Sequence, residues 1–273
     1  GIKFHFVLFC TNVTFNSVYS NSIITFNLYL IKAHMVTKFR FIIICFMLLF
    51  NCSEAIKTTF SDINISTENN NIVEVTIPKA FGNTEITNSI NYEIEKLVIN
   101  ALIIGEQNNI QVKTIEESII AFNQEYNTFK ADFPESLQIW EAQIDGEILL
   151  QSSEITSISI TSYVNTGGAH GVLNISFLNF NSITGKQLLN KDLFTDIAGF
   201  KAIAQTYFNK ATKENDVVFD QNKFELPTNI GYTDDGLVLL YNTYEIAPYS
   251  TGIIEFAIPF KAIESYLVFN SAD

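Results

Sequence analysis

The stretch ITSISITSYVNTGGAHGVLNISFLNF, residues 155–180, gives the clearest indication of the fold. It contains two extended segments rich in apolar and β-branched residues, Ile155 to Val164 and Val172 to Phe180. The polar, Gly-rich connection Asn165 to Gly168 separates them. Short runs of this composition on either side of a Gly-containing turn are typical of β-strands. The stretch therefore predicts a sheet, and the rest of the chain indicates what surrounds it.

More strands are predicted on both sides of this stretch. Val73, Val75 and Ile77 alternate with polar residues until Pro78 ends the strand. Two hairpins are predicted, because Asp-Gly dipeptides favour tight turns between strands. The first spans Leu137 to Gln151 and turns at Asp145-Gly146; the second spans Ile230 to Tyr241 and turns at Asp234-Asp235-Gly236. Ile253 to Phe260 supplies a last strand.

Three segments carry apolar residues at helical spacing, which predicts helices with one buried face. Thr84, Thr114 and Thr195 are the predicted caps, and Gly105 and Pro134 are placed to end the first and second helices. The apolar positions are Ile86, Ile90, Ile94, Leu97, Val98, Ala101 and Leu102; Ile119, Phe122, Tyr126, Phe129 and Phe133; and Ile197, Phe200, Ala204, Tyr207, Phe208 and Ala211.

The helices do not alternate once per strand, which favours an α+β fold over a doubly wound one. We predict two packed subdomains, residues 53–160 and 161–273, with largely antiparallel sheets and three main helices.

The N-terminal part carries the pattern of a bacterial export signal. Residues 1–34 show no clear periodicity and are not expected in the mature protein. Met35 is followed by Lys38 and Arg40 and then by ten apolar residues, Phe41 to Phe50, too few to span a bilayer. We predict a lipoprotein signal over 35–52, with lipid on Cys52. Ordinary cleavage shortly after Cys52 and a buried helix over 35–50 are the alternatives.

The exported part is strongly acidic. It has 12 lysines and no arginine against 29 acids, a formal charge of −17, whereas the whole chain carries −13. Nucleic acid is therefore an unfavourable partner, and a basic protein is a better one because an acidic field speeds its encounter. A general effect on solubility is the alternative reading of the charge. The part after Cys52 contains no cysteine, which excludes disulfides and thiolate zinc sites there.

No pattern of residues in the sequence indicates a particular reaction. His170 is the last of three histidines and the only one after the signal, so one chain cannot build a multi-histidine metal site. No Gly-x-Ser-x-Gly elbow accompanies it to suggest a catalytic triad. The segment Thr166 to Gly171 is rich in glycine like a phosphate-binding loop, yet strand-like sequence follows it where such a loop requires a helix. A tight crossing between strands is the simpler interpretation.

The segment Tyr241 to Gly252 is an unusual loop, with Pro248, an acid and three tyrosines. Exposed tyrosines suit protein recognition. The alternative is that the rings cover the end of the core. The candidate ligand-binding residues are Tyr244, Glu245, Tyr249 and His170.

Several of these segments together resemble the RsiV-like family of bacterial envelope domains. The resemblance lies in Ser162 to Gly171, Thr184-Gly-Lys186, Asp192-Leu-Phe194, Thr233 to Leu237, Tyr244 to Tyr249 and Gly252 to Pro259. The family includes the extracytoplasmic domain of the anti-sigma factor RsiV, a lysozyme receptor, and the noncatalytic N-terminal region of the peptidoglycan deacetylase PdaC. The resemblance spans about residues 56–268 and implies an extracytoplasmic α+β module without catalysis of its own.

We therefore expect a lipid-anchored envelope protein that acts as a noncatalytic binding module. The expected ligand is a basic protein such as lysozyme, or a cell-wall component. No cofactor, metal site or catalytic residue is expected, and we do not carry sigma-factor control or deacetylation over to this chain. An uncharacterised hydrolase that acts on peptidoglycan or glycans through two carboxylates is one alternative, and a purely structural envelope protein is another.

Overall fold

A six-stranded sheet organises the computed structural model, which describes residues 57–105, 112–212, 218–220 and 223–270. Its strands lie in sequence order, and all neighbours are antiparallel except β2 and β3, which are parallel. The strands are β1 (Thr59–Ile65), β2 (Val73–Phe81), β3 (Glu141–Gln151), β4 (Ile155–Asn165), β5 (Val172–Asn181) and β6 (Gln187–Leu188).

Two long helices make the crossover that the parallel β2–β3 pair requires. They are α1 (Thr84–Leu102) and α2 (Ile115–Asp132). One residue per turn of α1 is buried against the sheet: Ile90, Ile94, Val98 and Leu102. The ring of Trp140, just before β3, lies 5.3–5.8 Å from the rings of Phe122, Tyr126 and Phe129 of α2. This apolar layer is the first core.

A second, three-stranded antiparallel sheet carries the C-terminal half of the structure. Its order is β7 (Asn229–Tyr232), β8 (Gly236–Tyr241) and β9 (Ile254–Pro259). The third long helix, α4 (Ile197–Ala211), buries Phe200, Ala204 and Phe208 in a second core with this sheet. The helical segments of this half are α3 (Asn190–Leu193), α4 (Ile197–Ala211), the 3-10 turn Tyr249–Thr251, α5 (Phe260–Ile263) and the 3-10 turn Glu264–Tyr266.

The small sheet is joined to the outward face of the large one, the face opposite α1 and α2. Ser157 of β4 accepts a hydrogen bond from the backbone of Tyr232 at 3.0 Å. Asn179 of β5 donates to the carbonyl of Ile230 at 2.7 Å. Strand β7 therefore covers the part of this face formed by the start of β4 and the end of β5. The part formed by the starts of β2 and β3 exposes Glu74, Glu141 and Gln143 to solvent.

The α+β class is confirmed, with two largely antiparallel sheets and three long helices in the described part of the chain. The hairpin Asp234 to Gly236 is confirmed as the β7–β8 connection. Two predicted caps are wrong by one residue. The cap of α1 is Asn83, one residue before the predicted Thr84, and the cap of α4 is Asp196, one residue after the predicted Thr195. Both side chains accept hydrogen bonds from the first turn of their helix.

The predicted hairpin at Asp145-Gly146 is wrong, because β3 runs straight through this dipeptide. Asp145 pairs with Thr76 on one side and with Thr161 on the other. A Cβ at Gly146 would lie 2.5 Å from Pro78 Cδ and 2.7 Å from Ile160 Cδ1. Glycine is required here by close packing between strands, a role that sequence alone does not distinguish from a turn. The chain reverses instead after Gln151, between β3 and β4.

The predictions for residues 1–34, for the signal at 35–52 and for lipid on Cys52 lie outside the described residues. The division into subdomains 53–160 and 161–273 stays a prediction. In the part of the chain that the structure describes, no helix is both long and apolar enough to cross a membrane.

Candidate binding surface

The Gly-rich connection after β4 is a tight turn that ends at His170. Asn165 Oδ1 accepts a hydrogen bond from the backbone of Gly167 at 3.0 Å. Gly167 and Gly168 have φ of +92° and +105°, values that glycine adopts more easily than other residues. Strand β5 follows at Val172, without an intervening helix. The interpretation as a crossing between strands fits this geometry, and the turn leaves the His170 side chain exposed.

His170 stacks on Tyr249, which lies in the loop between β8 and β9. The two ring centroids are 3.6 Å apart and the ring planes differ by 13°. Both side chains also approach the carbonyl oxygen of Gly171, His170 Nδ1 at 3.1 Å and the Tyr249 hydroxyl at 3.4 Å. Because a carbonyl oxygen only accepts, the His170 contact is a hydrogen bond when Nδ1 carries the proton. Two loops distant in sequence are thus joined at one backbone group.

Tyr244 extends this pair of rings into solvent. Its ring centroid lies 5.6 Å from that of Tyr249, and 59% of the residue is exposed. Its φ is +69°, one of two positive values among non-glycine residues in the described part. A non-glycine residue in this region costs about 1 kcal/mol or more, and such strain concentrates at functional sites. We call His170, Tyr244 and Tyr249 the ring cluster.

Glu245 lies beside the ring cluster but has a structural contact. Its carboxylate accepts a hydrogen bond from the backbone of Asn242 at 2.9 Å, and its own N–H donates to the Asn242 carbonyl at 3.1 Å. These two bonds close the turn that places Tyr244. Glu245 is therefore a positioning residue of the loop as well as one of its charges.

Asn242 fixes the loop Tyr241 to Gly252, which we call the tyrosine loop, to the large sheet. Its side chain accepts from the N–H of Ile175 at 2.8 Å and donates to the carbonyl of the same residue at 2.9 Å. Asn229 accepts in the same way from the N–H of Phe177 at 3.1 Å. The two asparagines satisfy backbone groups along an edge of β5 that would otherwise be open to another strand.

Tyr163 connects the ring cluster to the face of the sheet. A Cβ placed at Gly171 would lie 2.5 Å from Tyr163 Cε2, Cζ and the hydroxyl oxygen. The absence of a side chain at Gly171 therefore lets the Tyr163 ring lie against the backbone that His170 and Tyr249 contact. The two residues that follow Gly171, Val172 and Leu173, are apolar and are 47% and 37% exposed. Exposed aromatic and apolar groups together often mark interaction sites.

Three of the four candidate residues, His170, Tyr244 and Tyr249, are brought together, and the fourth lies in the same loop. Sequence reasoning missed Asn242, Gly171 and Tyr163 as parts of this surface. Tyr163 and Gly171 belong to the stretch that carries the resemblance, but nothing in the sequence showed that their contact is with the tyrosine loop.

The hydrogen bond found for the His170 ring among the described residues joins it to the carbonyl of Gly171. Within the same residues, no three His, Cys, Asp or Glu side chains gather closely enough to hold a metal ion.

Comparisons with known proteins match two consecutive regions of the chain. Residues 65–173 match the family model described as Deacetylase PdaC, and residues 186–261 match DUF3298, a family of proteins of unknown function. A comparison with curated proteins gave no match.

Two solved structures share the fold. One is a DUF3298 family member from Bacteroides fragilis, 19% identical, with a TM-score of 0.56. The other is a DUF3298 family protein from Pseudomonas aeruginosa, 18% identical, with a TM-score of 0.51. In each case 79% of this chain aligns with 95% of the other. The chain is thus similar to the PdaC family over residues 65–173 and to the DUF3298 family over residues 186–261, which confirms the resemblance predicted from the sequence.

Proposed function

We propose that this protein is an extracytoplasmic binding module of the bacterial envelope that recognises a basic protein such as lysozyme. A cell-wall component is the other expected ligand class. The observation that supports this proposal best is the ring cluster. It presents an exposed tyrosine and a stacked histidine–tyrosine pair at the junction of both sheets.

The composition of the ring cluster suits protein recognition. Tyrosine is enriched at the centres of interfaces, because its ring gives a large contact area at a low cost in conformational entropy. The rings are also held before binding, Tyr249 by its stack with His170 and the loop by Asn242. A preorganised surface loses less conformational entropy when a partner binds.

The charge favours a cationic partner. The chain after Cys52 has a formal charge of −17, and an acidic surface accelerates the encounter with a basic protein in a salt-dependent manner. Tyrosine faces also attract lysine and arginine side chains through cation–π contacts. An anchor on Cys52 would hold this surface at the membrane, where a basic protein from outside the cell would meet it.

The proposal is tested by calorimetric titration of the protein with hen lysozyme at low and at physiological salt. We expect saturable binding with a higher affinity at low salt, because exposed charges are screened over about 8 Å at physiological ionic strength. No saturable binding at low salt would reject lysozyme as the ligand and direct the search to cell-wall fragments. An affinity unchanged by salt would reject the electrostatic contribution.

Two exposed tyrosines supply a matched pair of variants. Tyr244 and Tyr92 are 59% and 62% exposed, but Tyr92 lies on α1 outside the ring cluster. We expect Tyr244→Ala to weaken lysozyme binding about tenfold or more, the effect of losing an aromatic anchor. Tyr92→Ala should leave the affinity unchanged. Equal losses in the two variants would show that the ring cluster has no special role.

A further inference from the structure

A pocket of about 380 Å³ opens beside the ring cluster, where β2 and β3 begin side by side. The lining residues that give it its chemistry are Glu74, Glu141, Gln143, Ile139 and Tyr163; Trp140 also lines it, with its ring in the first core. All of its lining residues lie in the described part of the chain. The pocket therefore combines two carboxylates and an amide with aromatic and apolar groups.

The strand register places the polar side chains on one face. In β2, Val73 and Val75 are buried and Glu74 points the opposite way, as alternation along a strand requires. In β3, Ala142 is buried while Glu141 and Gln143 are exposed. Glu74 pairs with Gln143 across the parallel strands, and Gln143 pairs with Tyr163 of β4. Glu74, Gln143 and Tyr163 thus form one continuous row on the outward face.

Neither Glu74 nor Glu141 forms an ion pair within the described part of the chain. The two ion pairs found there join Lys96 to Glu93 and Lys201 to Glu225. Glu74 and Glu141 thus face solvent without a described cationic partner.

We propose that this pocket binds the cationic side chain of an arginine or lysine residue from a partner protein. The carboxylates of Glu74 and Glu141 and the amide oxygen of Gln143 accept hydrogen bonds from the charged head. The Tyr163 ring and Ile139 cover the apolar stem, and long basic side chains bury such stems along apolar surfaces. Neutral polar side chains lack the charge that this lining complements.

Tyr163 makes the pocket and the ring cluster parts of one surface. It lines the pocket, and its ring also lies against Gly171, whose carbonyl oxygen His170 and Tyr249 approach. The inference deepens the proposed function and rests on it for the identity of the partner, because a basic protein would present such a side chain. The pocket itself can be tested separately with a small peptide.

The test measures peptide binding by calorimetry, because the ring of Trp140 lies in the first core and not on the outward face. The whole protein is titrated with the peptide acetyl-Gly-Arg-Gly-amide at low salt. The matched ligand replaces arginine by citrulline, which keeps the shape and removes the charge. We expect saturable binding of the arginine peptide, weaker binding of its lysine counterpart, whose compact head lacks the planar fork of a guanidinium, and none of the citrulline peptide.

Charge-removing variants localise the effect. Glu74→Gln with Glu141→Gln should weaken binding of the arginine peptide about fivefold, the effect of losing two exposed ion pairs. The control pair, Glu255→Gln with Glu264→Gln, removes the same charge from exposed positions on and after β9. Circular dichroism of both double variants checks that they are folded.

The outcomes separate the pocket from the proposed function. Equal responses to arginine and citrulline, or equal losses in the two double variants, would overturn the pocket. Lysozyme binding without a peptide response would overturn the pocket and leave the proposed function standing. A peptide response without lysozyme binding would support the pocket and exclude lysozyme as the partner.

Discussion

Replacing Asn242 by alanine should loosen the tyrosine loop and weaken binding at the same time. The Asn242 side chain makes two hydrogen bonds, of 2.8 and 2.9 Å, to the backbone of Ile175, and both are partly buried. A hydrogen bond of this kind contributes about 1 kcal/mol net, so the variant should lose about 2 kcal/mol of unfolding free energy. The loop would lose its attachment to β5, and the rings of Tyr244 and Tyr249 would no longer be held before binding.

Asn229→Ala is the matched control. Asn229 satisfies the same edge of β5 with one bond, of 3.1 Å, to the N–H of Phe177. It lies at the start of β7, opposite Leu240 of β8, and its side chain binds Phe177 of β5 and not Ile175. We expect a loss of about 1 kcal/mol in this variant and an unchanged affinity for lysozyme.

Urea denaturation gives the two free energies, and calorimetry gives the two affinities. The linear dependence of free energy on urea allows both variants to be compared at the same denaturant concentration. Equal destabilisation of the two variants would refute the two-bond assignment to Asn242. A normal lysozyme affinity in a destabilised Asn242→Ala protein would refute the role of the loop in binding.

Three further predictions concern stability. Gly146→Ala should cost about 1–3 kcal/mol by overpacking against Pro78 and Ile160, and an unchanged melting temperature would contradict the close packing at this site. Tyr232→Phe should leave stability unchanged or raise it by about 1 kcal/mol, because the buried Tyr232 hydroxyl has no hydrogen-bond partner among the described residues. A clear loss of stability in a urea titration would show that the hydroxyl has a partner. Burial raises the pKa of Tyr232 and Tyr241 above the ordinary value of 10.0, so these tyrosines lose their protons more easily in the unfolded state and stability should fall as pH rises above about 10. The double variant Tyr232→Phe with Tyr241→Phe should lose much of this pH dependence, and a urea midpoint of the unchanged protein that does not vary with pH would contradict the prediction.

Much of the fold could be predicted because its signals are local. The apolar spacing of α1, α2 and α4 and the Asp234 to Gly236 turn depend on neighbours in sequence. The turn predicted at Asp145-Gly146 was wrong because the same dipeptide occurs both in turns and at close contacts between strands. Only the tertiary structure shows that Pro78 and Ile160 surround Gly146.

The candidate site was predictable as two separate segments and not as one surface. His170 attracted attention as a lone histidine, and Tyr244 and Tyr249 as exposed rings in an unusual loop. Their association depends on Gly171 and Asn242, whose contacts cross between the two sheets. No periodicity or spacing encodes such contacts. The pocket at Glu74 and Glu141 depends in addition on the parallel pairing of β2 with β3, which the wrongly predicted hairpin did not allow for.

Amide hydrogen exchange with and without saturating lysozyme tests whether the ring cluster is the binding surface. We predict slower exchange in two segments of the complex, residues 165–175 and residues 242–252, which together carry the ring cluster. Exchange in α1 and α4, outside this surface, should be unchanged. Protection confined to those helices, or no protection at saturation, would contradict the assignment of the ring cluster as the binding surface.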